Sequence, residues 1–377
     1  MIVKKLPLSQ LENFRDSWNA LLNLSNLFSY FLTWEWIYAY VKSTKIDDSE
    51  LLILLCFEDS KLIAIAPLYQ YTDSFFGIKI IKIGFLGNTV SSDYMDVITL
   101  PEFENKGCEA ILGFIEANCK YLYEFADVLP DSNIYKCFND TKTGKSRKGY
   151  VFEKEICPRI ILPKTFEKYF KELSSNTRYN YRRRLKQLSS DFSEPILIND
   201  IKSDKEELDK LFELHWKRWS INSEKKSTFN NLYRKEFNNI LVSLCKSGKD
   251  IIFSKFIIND NIESILYIFR HKSHYYFYQN GWNPDFSKYS IGMLHLIMFI
   301  EYAIQNGAKT FDLLRGDEGY KYKLSNDTRK TYIIYVPSVF LVPNLYVQFI
   351  VIKKRIRKLL SVYSKFKIFR IGNESIQ

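Results

Sequence analysis

Two apolar runs joined by a tight polar turn occur twice in this chain, about 200 residues apart. LLILLCFE (51–58) and LIAIAPLYQY (62–71) flank Asp59-Ser60; IIFSKFII (251–258) and IESILYIFR (262–270) flank Asn259-Asp260-Asn261. A third strand follows each hairpin, GIKIIKIGFLG (77–87) and HYYFYQNGW (274–282). The first alternates Lys with apolar residues, as a half-buried strand does. Each set then runs into a helix, 105–118 and about 290 to Gly307, and a last strand, 121–129 and KTFDLL (309–314). The order is repeated without the residues being repeated, so the duplication is one of pattern. It predicts an α/β fold of α+β content: tandem duplicated halves with mixed sheets, over 1–160 and 161–340.

Between the halves the periodicity becomes helical. NTRYNYRRRLKQL sets Tyr181, Leu185 and Leu188 on one face, and Arg178, Arg182 and Lys186 on another. DKEELDKLFELHWKRW, with Ser203 and Glu206 as a capping pair, sets Leu208, Leu211, Phe212, His215 and Trp219 on one stripe. These make a helical insert over 164–220, and a further helix is expected over 231–246. At the start, Ser9 and Glu12 form a second capping pair, and Thr33 suits the N-terminus of TWEWIYAYV.

With 46% hydrophobic and 16% aromatic residues in 377, the chain can bury a large core. The net charge of +11 is uneven: residues 341–372 hold eight Lys or Arg and no acid. The basic balance therefore describes a tail at 341–377 and gives no reason to expect DNA binding. Within it, 349–363 places Phe349, Ile352, Ile356, Leu359, Leu360 and Tyr363 on one side and Lys353, Lys354, Arg357 and Lys358 on another. Such a helix either lies on anionic lipid or caps the core with its apolar side. Six cysteines without a CxxC pair, and no His at ligand spacing, point to reduced thiols and no metal site. The N-terminus lacks a signal-peptide core, and no apolar run reaches the roughly 20 residues a membrane-spanning helix needs. A cytoplasmic protein is expected, peripheral at the membrane if its tail binds lipid.

Candidate chemistry gathers in three places. The strand ending Gln279-Asn280-Gly281 can expose backbone N–H groups if glycine bulges it. The next helix begins near Ser290-Ile291-Gly292-Met293, where unpaired N–H groups suit an anion and Gly292 lets a ligand approach. FDLLRGDEGYKYKL (311–324) then packs Arg315, Asp317, Glu318, Tyr320, Lys321 and Tyr322 into a loop at the carboxyl end of a strand. Asp317 and Glu318 are candidate general bases there, and Tyr320 or Tyr322 candidate acids. Asp312 points either into a cleft or toward a neighbouring cation. His215 is either a hydrogen-bonded core histidine or a catalytic residue that, with Arg218, forms a pair facing the cleft. His271 and His274 are expected to be solvated and His295 to lie in the core. The Arg-Gly-Asp tripeptide is read as chance.

Seven segments in order resemble one group. FLTWEW (31–36), IAPLY (65–69), FLGNTVSSDYMDV (85–97), NTRYNYRRRLKQL, LHWKRW, YQNGWNPDFSKYSIGMLHL and FDLLRGDEGYKYKL look like the signatures of the bacterial CelD/BcsL-type acetyltransferases. That group belongs to the GNAT superfamily, is tied to exopolysaccharide and cellulose synthesis, and is distantly similar to the Fem aminoacyl transferases. The resemblance implies two GNAT-like folds side by side and transfer of an acyl group from acyl-CoA, acetyl-CoA foremost, to an amine without a covalent intermediate. It also implies an oxyanion hole near Gln279–Gly281 and a pyrophosphate site at Ser290–Met293. Asp93, Tyr94, His215, Arg218, Asp312, Arg315, Asp317 and Glu318 would line the acceptor cleft, with Lys321 pairing a phosphate or carboxylate. Two departures stand out. Lys288-Tyr289-Ser290-Ile291-Gly292-Met293 lacks the GNAT pattern Gln/Arg-x-x-Gly-x-Gly/Ala, and Gly319 stands where the group has Pro. The first half has no comparable glycine motif, so one donor site is expected, in the second half.

The leading expectation is an N-acyltransferase acting on an amino sugar or similar small-molecule or carrier-linked amine in surface-polysaccharide assembly. A Fem-like transferase fed by aminoacyl-tRNA, gripped by the arginine-rich helix, is the same-fold alternative. A non-catalytic scaffold of a polysaccharide complex is the third.

Overall fold

The computed structural model describes residues 1–87, 92–118, 122–139, 149–192, 195–200, 205–220, 227–245, 250–337 and 342–356. Its strands are β1 (Ile2–Lys5), β2 (Leu51–Glu58), β3 (Lys61–Phe75), β4 (Ile78–Phe85), β5 (Ile98–Thr99), β6 (Leu122–Val128) and β7 (Tyr150–Ile161) in the first part. β8 (Ile196–Asp200), β9 (Ile251–Ile258), β10 (Asn261–His271), β11 (His274–Trp282), β12 (Thr310–Asp312) and β13 (Asp327–Val336) follow. The helices that matter below are α1 (Arg15–Leu24), α2 (Trp34–Thr44), α3 (Glu104–Asn118), α4 (Asn133–Asn139), α5 (Phe166–Glu172), α6 (Ser175–Asp191), α7 (Lys205–Ser220), α8 (Leu232–Leu244), α9 (Ile291–Gln305) and α10 (Gly319–Leu324).

The two expected sheets are one, in the order β1-β2-β3-β4-β6-β13-β7-β12-β11-β10-β9-β8, with β5 on β3. The order is nearly symmetric about its middle. In each half a hairpin (β2–β3, β9–β10) leads to a third antiparallel strand (β4, β11), which pairs in parallel with the strand after the helix (β6, β12). Both hairpins turn on two residues with positive φ, Asp59-Ser60 and Asn259-Asp260, the backbone that matches strand twist. The central strands are exchanged. β7 leaves the first half to pair with β12, and β13 leaves the second half to pair with β6.

One hydrophobic cluster runs through both halves, which explains why they sit fixed. Trp36 of α2 meets Phe237 of α8 edge-on at 4.7 Å, and Tyr30 stacks on Phe269 at 4.5 Å. Each buried ring is worth about 1.5–3 kcal/mol. Thr33 caps α2 by accepting the Trp36 N–H at 3.4 Å. Ser9 caps nothing: it lies inside a short 3-10 turn, Leu8–Phe14, because Pro7 has already started that turn. Ser203 lies outside the described residues. α9 covers the opposite face, setting Leu296, Ile297, Phe299 and Ile300 against β9–β12, and Gly307 (φ 73°) ends it.

The chain is helical again over 342–356, where Val347 and Val351 are buried against Ile80, Leu122, Ile333 and Tyr335. Phe349, Ile352 and Ile356, expected on the core-facing side if the helix caps the core, instead point outward. The rest of 349–363 lies outside the described residues. No described helix is long and apolar enough to cross a membrane.

Candidate active site

β12 is short because its own residue stops it. The Asp312 carboxylate accepts the N–H of Leu314 at 2.8 Å, a local turn that competes with the ladder, and Leu314 takes φ 56°. β11 stays paired with β10 as far as Trp282, but with β12 only through Tyr276. From Phe277 onward the two strands part, and the edge of β11 facing Leu313 and Leu314 has no ladder partner among the described residues. A bulge at Tyr278, set opposite Tyr267 and Ile268, re-aims that stretch.

The gap is a cavity of about 150 Å³ lined by Phe277–Asn280, Leu313–Arg315, Glu318, Tyr320 and Lys321, closed by His215, Arg218 and Trp219 of α7 and by Asp93 of the first half. Gly281 is needed for that closure. A Cβ there would lie 2.7 Å from the His215 backbone nitrogen and 2.8 Å from Leu214 Cβ. Its place is therefore beneath α7, and it neither bulges the strand nor frees N–H groups for a ligand.

Asp93 is buried under Arg315. Nε and Nη2 of Arg315 both lie 2.6 Å from Oδ1, and Nη2 also donates to the Ser92 carbonyl and sits 3.2 Å from Asp127 Oδ1. Asp127 is held in turn by Lys154 at 2.6 Å. Asp93 Oδ2 is buried with no hydrogen-bond partner among the described residues. Burial pushes the Asp93 carboxyl up to about 7, the pull of Arg315 being opposed by Asp127 nearby.

His215 is a core histidine with both nitrogens engaged. Trp219 Nε1–H donates to Nε2 at 3.1 Å, so the ring proton belongs on Nδ1, 2.8 Å from Ser227 Oγ. Burial, helped by Arg218, lowers its pKa to about 4, so the ring stays neutral and its lone pair is occupied. It lines the cavity as a wall and not as a base. Arg218 lies between the indoles of Trp219 and Trp282 (5.2 and 5.5 Å) and donates to Asn280 Oδ1 at 2.6 Å. No carboxylate pairs with it among the described residues, so its charge is available to the cavity.

The loop after Leu314 divides by role. Gly316 (φ 130°) lets Lys321 fold beneath it, where the buried ammonium donates to the Arg315 carbonyl at 2.6 Å and pairs with Glu318 at 3.1 Å. Lys321 thus braces the loop through carbonyls. Asp317 does not line the cavity: it is exposed and accepts the Tyr322 hydroxyl at 2.9 Å. Glu318 and Tyr320 do line it. Burial raises the Tyr320 phenol above its usual range, with the Glu318 charge adding to the effect.

Tyr94 and Asp312 form a buried pair, the phenol donating to both carboxylate oxygens at 3.0 and 2.9 Å. Asp312 is pushed up to about 6, burial outweighing the Leu314 N–H. Tyr94 faces a separate cavity of about 290 Å³ between the halves, with Tyr276 and Arg329.

The start of α9 is also divided. Ser290 (φ 51°) and Met293 line a third cavity of about 100 Å³ with Asn176, Asn180, Arg184 and Lys323. Ile291 is buried, and Gly292 packs under Trp282, whose ring a Cβ would meet at 3.1 Å. Neither presents itself to a ligand. His271 and His274, expected to be solvated, are buried and half-buried; His274 lies 4.4 Å from the Phe28 ring. His295 is enclosed, with Ser254 and Ser264 hydroxyls at 2.8 and 2.9 Å. The described residues include no group of three His, Cys, Asp or Glu able to hold a metal.

Asp127 and the Tyr278 bulge were missed from sequence, and Trp219 was read only as part of the buried stripe of α7. Only Asp127 carried a signal: like Asp312, it is the one acid near the end of an apolar strand.

Residues 175–322 match the family model described as an acetyltransferase (GNAT) domain. No curated protein sequence matches the chain. FemX is similar in fold, with a TM-score of 0.59 at 12% identity, covering 92% of this chain and 99% of its own. L-PGS from Bacillus licheniformis gives 0.52 at 10%, covering 92% and 97%. A conserved protein of unknown function from Bacteroides thetaiotaomicron gives 0.56 at 11%, covering 89% and 100%. The chain is thus an acyltransferase by the GNAT domain at 175–322, and its fold is similar to that of FemX. The matched segment contains every residue lining the parted strands except Asp93.

Proposed function

We propose that the chain is an N-acyltransferase that moves an acyl group from an acyl-CoA thioester to an amine on an amino sugar or a similar acceptor, in surface-polysaccharide assembly. The observation that carries this reading is the open edge of β11 facing a cavity that also holds a buried carboxylate with a free oxygen, Asp93.

The thioester carbonyl would sit against the β11 edge, where backbone N–H groups stabilise the developing oxyanion. The amine nitrogen attacks the carbonyl carbon, Asp93 takes the proton from nitrogen, and the C–S bond breaks. The thiolate leaves and takes a proton, for which the Tyr320 hydroxyl is the donor in the cavity. Burial raises the Asp93 carboxyl toward neutrality, which suits a general base. Glu318 is the rival base. It is exposed and tied to Lys321, both of which favour Asp93. Arg218 and the polar groove of Ser290, Arg184 and Lys323 at the start of α9 would take the donor's negative charges.

Asp93→Asn should lower turnover by about 10²–10⁴-fold and abolish the limb of the pH–rate profile near 7, while Glu318→Gln keeps that limb. The opposite pattern would transfer the role to Glu318. Titration calorimetry with acetyl-CoA and desulfo-CoA tests the donor, and no heat with either removes the reading.

The exposed Arg182, Arg183 and Lys186 on α6, beside the Arg184 groove, favour a second reading in which aminoacyl-tRNA is the donor. Binding of charged tRNA without CoA binding would select it. Binding of neither would leave the scaffold role.

A further inference from the structure

We infer that the face formed by the β3–β4 turn and the helix 342–356 docks the protein on an anionic membrane surface. The helix is apolar on two opposite sides. Val347 and Val351 are buried against the sheet, whereas Leu345, Phe349, Ile352 and Ile356, at i, i+4, i+7 and i+11, form a second stripe that is 44–55% exposed. Lys353 and Arg355 are exposed on either flank of that stripe and make no ion pair among the described residues.

The stripe continues onto the neighbouring turn. Phe76 is 82% exposed with φ 49°, and Ile78 and Lys79 beside it are also exposed. A β-turn residue with positive φ is ordinarily Gly, Asn or Asp, so a Phe held outward there is placed against its local preference. The Phe76 and Phe349 rings lie 6.0 Å apart, joining turn and helix into one apolar surface edged by Lys79, Lys353 and Arg355.

The helix is fixed in this orientation. Lys82, buried beneath it, donates to the Tyr346 hydroxyl at 2.7 Å and pairs with Asp73 and Glu124 at 2.6 and 2.9 Å. Lys354 is turned inward over the Phe152 ring at 4.3 Å. The outward stripe therefore cannot roll inward to hide itself. An apolar stripe between cations suits the boundary between acyl chains and anionic headgroups, where each basic side chain adds its own attraction. A soluble protein partner would need matching acids around an apolar groove; a lipid surface supplies both features at once. The sequence beyond residue 356 adds Arg357, Lys358, Lys365, Lys367 and Arg370 before its first acid.

The test is co-sedimentation of the full chain with vesicles of phosphatidylcholine alone and of an equimolar mixture with phosphatidylglycerol. Binding to the mixed vesicles is expected, with at least about tenfold less on phosphatidylcholine, and with about tenfold loss for Phe349→Glu/Ile352→Glu and for Phe76→Glu. Phe76→Ser, at an exposed turn, gives the same reading if the double variant does not fold. Variants that bind as well as the parent would show that the terminal basic residues act alone, and would overturn the proposal. So would absence of binding to mixed vesicles, or a parent that is dimeric in solution and becomes monomeric on Ile352→Glu without a lipid effect. The readout is independent of catalysis, so it stands apart from the fate of the acyltransferase reading.

Discussion

Both halves finish their inner parallel strand with a left-handed residue, Asp127 (φ 60°) on β6 and Leu314 (φ 56°) after β12, yet they treat the space between that strand and its parallel neighbour differently. In the first half, rings pack between β4 and β6: Phe85 meets Phe125 at 5.3 Å, and Phe138 lies 6.0 Å from Phe125. In the second half, the strands part around the cavity of Phe277–Asn280 and Leu313–Arg315. The left-handed residue differs to match. Leu314 lines the opening, whereas Asp127 sends its carboxylate to Lys154 and toward the Arg315 of the other half. In the proposed reading, the second half keeps the open chamber and the first half supports it, lending Asp93 as the base.

The sharpest way to break this division is at the join. Arg315→Ala leaves Asp93 and Asp127 buried without their shared cation, and should cost about 3–5 kcal/mol in urea unfolding together with nearly all activity. A variant of unchanged stability would mean the halves hold together without that pair. Next in size, Phe125→Ala hollows the filled half. A loss of about 3 kcal/mol is expected, with calorimetry still finding a single CoA site. A second site would show that side-chain volume alone separates the two copies.

The smallest effect concerns pH. Asp93 and Asp312 both titrate higher folded than unfolded (about 7 and about 6), so the unfolded chain releases their protons first. Their contribution is full below about pH 4 and is lost as pH rises through 6 and 7. Asp312→Asn keeps an acceptor for Tyr94 and Leu314 and should flatten this slope by on the order of 1–2 kcal/mol across pH 4–7. Parallel slopes in the two proteins would assign the pH response to other groups.

Much of the fold was legible because it is local. The two hairpins announce themselves through apolar runs and polar two-residue turns, and the helix ending at Gly307 through its C-cap. The exchange of β7 and β13 was not legible, since pairing across some 150 to 210 residues leaves no local trace. Within the site, Arg315, Glu318 and Tyr320 stood out as a dense polar loop at a strand end. Gly281 and Gly292 misled: glycine marks close approach equally well for a ligand, a helix backbone or an indole, and here the neighbours are α7 and Trp282. Asp93 was recognised only as a binding residue, because what sets it apart is Arg315, 222 positions away.

The exchanged strands also govern when the molecule can come into being. β6 gains its outer neighbour only when residues 327–336 arrive, and β12 must lie against β7, which was made long before it. A chain emerging from synthesis therefore carries an unfinished first sheet edge until nearly the whole of the second half has been made. Closure of the centre is one late event, slowed by the long loops it must join. Cutting the polypeptide between the halves would yield two fragments, each missing the strand that the other holds.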